Sequence, residues 1–253
     1  MLRYLIIIAA LIVPSAASAE PNTDFARHMG VTQFTTTGVY GFDLSHNGWH
    51  VDRIIIGQNR TKWGLMSDVV LVSCVKKKCW TRKVRIGKDE KVRALKIVDL
   101  EGAPTSLHGY LGDRASKHYR RLHTRDKRRP VLVLETRWRK PGTKSKRPPP
   151  GGRRVVEEVR RSLVLISLHR KDFSSPRIFR KDISRRYSYG HGHHSLFSLV
   201  RGKGRALDIQ ESRRRNLGNG SKCRAPKPTT HRYQLKNRRY REKRTLHMSK
   251  GCR

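Results

Sequence analysis

Apolar residues in this chain come in short runs that turn-forming residues soon interrupt. The runs cover 49–56, 67–75, 79–86, 92–100, 130–138, 155–168, 177–179, 195–200 and 206–209. Most are short, rich in Val, Ile, Leu and aromatic residues, and bounded by Gly, Pro, Asn, Asp or Ser, which is the pattern of β-strands. The segments VVLV (69–72), VLVL (131–134) and LVLI (163–166) each lead toward polar or charged residues, as in a meander of similar hairpins. The spacing leaves no room for the crossover helices of βαβ units. The chain therefore predicts a mainly β fold: an antiparallel hairpin or meander sheet, or a sandwich, with long basic loops and little helix.

Two segments test that reading. Residues 114–128 (RASKHYRRLHTRDKR), with Asp113 as N-cap, fit either a short basic helix or a solvated basic loop. Residues 140–152 (KPGTKSKRPPPGG) hold no apolar residue and read as the tip of a long β-hairpin, or as a linker between two domains. Near the end, 231–235 and 238–242 flank Lys236-Asn237, which suits a two-residue hairpin loop.

Residues 1–19 follow another pattern. Arg3 precedes an apolar stretch from Leu5 to Val13, and Ala17-Ser18-Ala19 offers a small-residue cleavage site before Glu20. The stretch is shorter than the roughly 20 residues a spanning helix needs. We expect a signal peptide over 1–19, an exported (periplasmic or secreted) product and no transmembrane segment in the mature chain. The expected division is then a β-rich domain over 20–210 and a basic, disulfide-closed hairpin segment over 211–253, packed on the same domain. Four cysteines suit an oxidising compartment, and local pairing gives Cys74–Cys79 and Cys223–Cys252.

Charge is the main functional signal. Among 253 residues, 58 Lys and Arg face 19 Asp and Glu, a formal net charge of +39. With 36% hydrophobic residues the chain can still build a core, which argues against wholesale disorder. Such a charge selects anionic partners and makes nonspecific nucleic-acid binding at low salt unavoidable. The densest cations lie in the tail: Arg213, Arg214 and Arg215, then Arg239, Arg241 and Lys243, with Tyr233 and Tyr240 interleaved. Arginine forks hold phosphate or sulfate, and tyrosine rings stack or cover apolar surface. These eight residues are the expected polyanion-binding set. On a strand, Arg239, Arg241 and Lys243 would share one face.

Other chemistry is weaker. His191, His193 and His194 on a Gly-containing loop are metal candidates without an evident fourth ligand, so no metal or other cofactor is expected. The sequence holds no nucleophile elbow, zinc-protease helix, phosphate loop or dinucleotide fingerprint, which argues against an enzyme. Glu157 and Glu158 would face opposite sides of a strand. Glu135 and His169 follow apolar runs, and His46, His50 and Lys62 could form a phosphodiesterase set, but no spacing selects them. Trp80 and Trp138 read as core or cross-strand residues, and Trp63 as the more exposed ring. The leading expectation is an exported protein that binds an anionic polymer or surface electrostatically: lipopolysaccharide, wall phosphopolymer, sulfated glycan or nucleic acid. The alternatives are an envelope structural or assembly protein with a protein partner, and a secreted hydrolase of a phosphorylated substrate.

Overall fold

The computed structural model describes residues 40–44, 51–61, 64–75, 78–108, 120–122, 127–144, 155–187, 191–217 and 228–246. A first meander comprises β1 (Tyr40–Leu44), β2 (Arg53–Thr61), β3 (Gly64–Val75) and β4 (Lys78–Lys88). Then come β5 (Glu90–Asp99), the short β6 (Thr105–Ser106) and β7 (Arg120–Leu122). The second meander runs through β8 (Pro130–Lys144), β9 (Val155–Ser167), β10 (Arg177–Tyr187), β11 (His191–Val200), β12 (Asp208–Leu217), β13 (Thr229–Lys236) and β14 (Arg239–Leu246). Among the described residues the one helical element is a 3-10 turn, Arg170–Asp172. The protein is mainly β and built of antiparallel sheets, the class its sequence predicts.

The strands form a five-stranded sheet, β4-β3-β2-β1-β7, and a nine-stranded sheet, β14-β13-β12-β11-β10-β9-β8-β5, with β6 added beside β11. β7 lies parallel to β1, an exception to the antiparallel rule. It also falls inside the segment that reads as a short helix, and there the helical alternative is wrong. A helix would set Lys117 near Arg121 and Arg121 near Arg125, like charges four residues apart in a segment barely long enough to sustain itself. The open edge of β1 instead supplies ladder hydrogen bonds to residues 120–122. Of the 140–152 segment, Lys140–Lys144 belong to β8, which pairs with β9 out to Lys144 opposite Val155. Residues 145–154 lie outside the described residues.

Alternation along β8 and β9 explains their unbroken apolar runs. Val131, Val133, Leu163 and Leu165 enter one core cluster, while Leu132, Leu134, Val164 and Ile166 enter another on the opposite face. Both faces are covered along these runs, so neither run has a polar side to show. The five-stranded sheet closes one face with Ile54, Ile56, Val69, Leu71, Val84 and Ile86. The other face is closed by Phe197, Leu199, Ile209, Tyr233 and Tyr240 from β11 to β14.

Strands of one sheet thus face each other across a core, so the nine-stranded sheet folds back on itself. The bend lies in β10. Arg177 pairs with Ile166 but Phe179 with Leu165, and Asp182 pairs with Ser162 but Ser184 with Arg161. Ile178 and Ile183 are therefore extra residues, β-bulges that bend and twist the strand. Their side chains, with Phe179, all enter the same core. β10 and β11 pair only where Ser184–Arg186 oppose Gly192–His194, and β6 takes up β11 at Ser198 and Leu199. Phe179 meets Phe197, Tyr233 and Tyr240 edge-on at 5.9, 5.2 and 5.9 Å. Each such pair contributes about 1 kcal/mol beyond the area it buries.

The chain passes between the sheets at a corner formed by Lys88, Asp89 and Glu90. Asp89 takes a left-handed backbone (φ 55°). The Glu90 carboxylate, 1% exposed, accepts from Thr136 Oγ1 at 2.9 Å, from Arg160 Nη2 at 3.1 Å and from Arg180 Nη2. Arg180 also donates to the Ile86 carbonyl. A Cβ on Gly87 would stand 2.8 Å from Glu90 Cδ, so the corner requires glycine there. Cys74 and Cys79 sit directly opposite each other on β3 and β4 and are disulfide-bonded. Cys223 and Cys252 lie outside the described residues.

Candidate functional site

β13 and β14 turn through Asn237 and Arg238, both with positive φ (47° and 63°). This is the handedness of a type I′ turn. The loop lies one residue later than Lys236-Asn237, because Lys236 already pairs with Arg239. Asn tolerates the first left-handed position better than Lys would. From that turn β14 alternates: Arg239 and Arg241 are exposed, and Tyr240 is buried.

Where β14 faces the bent strand β10, a groove of about 390 Å³ opens. Arg177, Arg180 and Lys181 line it from β10, and Arg239, Arg241 and Glu242 from β14. Its floor is Ile178, Phe179, Tyr233 and Tyr240. Arg180 is committed to Glu90, and the Lys181 ammonium lies over the Tyr233 ring, 5.2 Å from its centre. Arg239 Nη2 donates to Ser175 Oγ at 3.3 Å. Arg177 and Arg241 form no ion pair with a carboxylate among the described residues. The result is a concave surface with several guanidinium and ammonium groups and one carboxylate at its rim, which suits a phosphate or sulfate.

The expected binding residues are only partly brought together. Arg213 Nε donates to Glu211 Oε1 at 2.9 Å, so that cation is used internally. Arg214 and Arg215 are exposed but pair with His194 and His193 toward the far end of the sheet. Arg213 faces Thr229 while Arg239 faces Lys236, seven residues along β13 and so about 23 Å apart along the strand. Lys243 is exposed and falls at a register shift, where Arg232 pairs with Arg244 but Tyr233 with Glu242.

The tyrosines require a correction. Tyr233 (2% exposed) and Tyr240 (8%) are core side chains and do not present stacking faces to solvent. Tyr233 Oη donates to Glu211 Oε2 at 2.6 Å, and Tyr240 Oη to the Leu207 carbonyl at 2.6 Å. Burial raises both phenol pKa values above the usual tyrosine range, and the Glu211 hydrogen bond adds to the shift at Tyr233. The period-two alternation of Tyr240 between Arg239 and Arg241 carries this signal in the sequence.

The histidine cluster is not a loop either. His191, His193 and His194 begin strand β11, where alternation sends 193 and 194 to opposite sides. Among the described residues, no group of His, Cys, Asp and Glu is arranged to hold a metal. Trp80, expected in the core or against a cross-strand partner, is half-exposed on β4 opposite Ser73, whose small side chain cannot cover it. Trp138 is partly covered by the Arg160 guanidinium 5.1 Å above it. Lys62, Trp63, His46 and His50 lie outside the described residues.

The residues that read as possible catalytic groups have structural partners. Glu135 contacts His108 Nδ1 at 3.1 Å and accepts from Arg161 Nη2 at 2.7 Å. His108 Nε2 accepts from the Phe197 amide at 2.8 Å, so Nδ1 carries the proton and donates to Glu135. Both imidazole nitrogens are thus engaged inside the protein. His169 Nδ1 accepts from the Lys171 amide at 3.1 Å and caps the 3-10 turn. Glu158 accepts from Arg185 Nε. Compared with known proteins, the chain matches no family model, no curated protein and no solved structure.

Proposed function

We propose that this is an exported, basic, β-rich protein that binds an anionic polymer electrostatically through the groove between β10 and the terminal hairpin. The observation that carries this reading is the convergence of Arg177, Lys181, Arg239 and Arg241, drawn from two distant parts of the chain, on one concave surface. Those cations replace the broader tail set as the binding residues. Counterion release from the polymer supplies most of the affinity, and the arginine forks supply orientation. Export rests on the pattern of residues 1–19, and the Cys74–Cys79 bond is in keeping with an oxidising compartment.

The test compares two charge-matched variants of the full oxidised protein binding single-stranded DNA over a salt series. Arg177, Arg239 and Arg241 all changed to Gln should flatten the plot of log affinity against log salt by about two units, at roughly 0.7 per lost phosphate contact. Lys78, Arg82 and Lys88 changed to Gln remove the same charge from exposed positions on β4. They should leave the slope nearly unchanged. Equal flattening by both sets would show that only net charge matters and would end the groove hypothesis.

A further inference from the structure

A second hollow, of about 240 Å³, lies at the hairpin tip. Arg128, Arg129, Lys171 and Arg238 line it against two carboxylates, Glu101 and Asp172. Asp172 is already compensated: Ser167 Oγ donates to it at 2.7 Å, and Arg129 and Arg238 lie 3.6 Å away. The two hollows draw on neighbouring parts of the same two segments. His169, Lys171 and Asp172 line the second and residues 177–181 the first, while the hairpin gives Arg238 to the second and Tyr233 and residues 239–242 to the first. The Arg239–Ser175 hydrogen bond and the Arg238–Asp172 pair, both at exposed arginines, tie the start of the hairpin's second arm to the 169–181 segment. Arg238, which lines the second hollow, directly precedes Arg239, which lines the first, so the two linings meet where the turn enters β14.

We infer that the two hollows form one track for a flexible, linear chain of phosphate groups, which occupies both at once. This rests on the groove being the anion site. Each hollow has room for a small anionic unit, and neither admits a rigid duplex. A single phosphate reaches one hollow. A chain long enough to reach both places a second phosphate in the other at a high effective concentration, so affinity rises more steeply than charge alone dictates.

The experiment titrates the full oxidised protein at near-physiological salt with orthophosphate and linear inorganic polyphosphates of increasing length. The expected result is a step of at least about tenfold in affinity at the length that spans both hollows. Changing Arg128 and Lys171 to Gln should abolish the step and leave short-chain affinity intact, whereas Arg177→Gln with Arg241→Gln should weaken every length. A smooth rise with length that the distal pair leaves unchanged overturns the track while the groove survives. Unaltered binding in the Arg177/Arg241 variant removes the groove itself. Duplex DNA of matched charge competing as well as the flexible chain also overturns the inference.

Discussion

The buried corner at Glu90 offers the sharpest test of how the two sheets are joined. Glu90→Ala would leave the Thr136 hydroxyl without its acceptor and the Arg160 and Arg180 guanidinium groups without their carboxylate. Removing one partner of a buried ion pair costs about 3–5 kcal/mol. Both arginines are nearly a third exposed (31% and 29%), and Arg160 retains Asp182 at 4.0 Å, so water and that neighbour recover part of the loss. The expected cost is about 3 kcal/mol, a fall of about 6–12 °C in Tm for a domain of this size. Glu90→Gln keeps an acceptor for Thr136 and should cost about half as much. The assay is urea unfolding of the oxidised protein, with Arg180→Met and the double variant completing a cycle. A coupling of about 1–3 kcal/mol between Glu90 and Arg180 is expected. A Glu90→Ala protein within about 0.5 kcal/mol of the parent, or a coupling near zero, would show that the corner does not depend on this carboxylate.

Tyr233→Phe removes a hydroxyl from buried Glu211, which retains Ser195 and Arg213, and should cost about 2 kcal/mol in urea unfolding while leaving polyphosphate affinity unchanged. A loss of affinity without a loss of stability would return that ring to the binding surface. Because the folded phenols of Tyr233 and Tyr240 titrate above the unfolded value near 10, their contribution is complete below that pH and is lost as pH rises beyond it. Absorbance titration should find two tyrosines ionising late. Burial holds His169, His193 and His194 below the usual histidine value of 6.5, so the stability tied to their neutral forms is present above it and lost as pH falls. The His108 hydrogen bond lowers Glu135 and adds a second loss below about 4.5. Urea midpoints should therefore fall from pH 7 to 5, and His193→Gln should flatten that decline; a midpoint that rises on acidification contradicts the assignment.

The strands are largely legible in the sequence because nearly every one buries at least one apolar face. VLVL and LVLI have no polar alternation, and the reason is three-dimensional: β8 and β9 form the middle layer between two cores. The Cys74–Cys79 bond is equally local. The groove is a different matter. It needs residues 177–181 beside residues 239–242, and that depends on bulges at Ile178 and Ile183 that no composition rule locates. The tail arginines do stand out in the sequence, but a charge run does not say which members share a surface. Alternation, applied to β14, separates Tyr240 from Arg239 and Arg241, and a carboxylate two positions away takes up Arg213. Arg177 and Lys181, interspersed with core residues of β10, give no signal of their own.

β14 ends the nine-stranded sheet among the described residues, so the outer side of its backbone has no strand paired to it. Such an edge is a template for pairing with another chain, and natural proteins guard it with charge. Here Arg239, Arg241, Glu242, Lys243 and Arg244 make five of its eight positions charged, four of them positive. A second copy approaching edge to edge would bring the same cations against their own kind. The arginines that face the groove therefore also protect the sheet against uncontrolled growth, and their replacement carries a cost in solubility that is separate from any loss of binding.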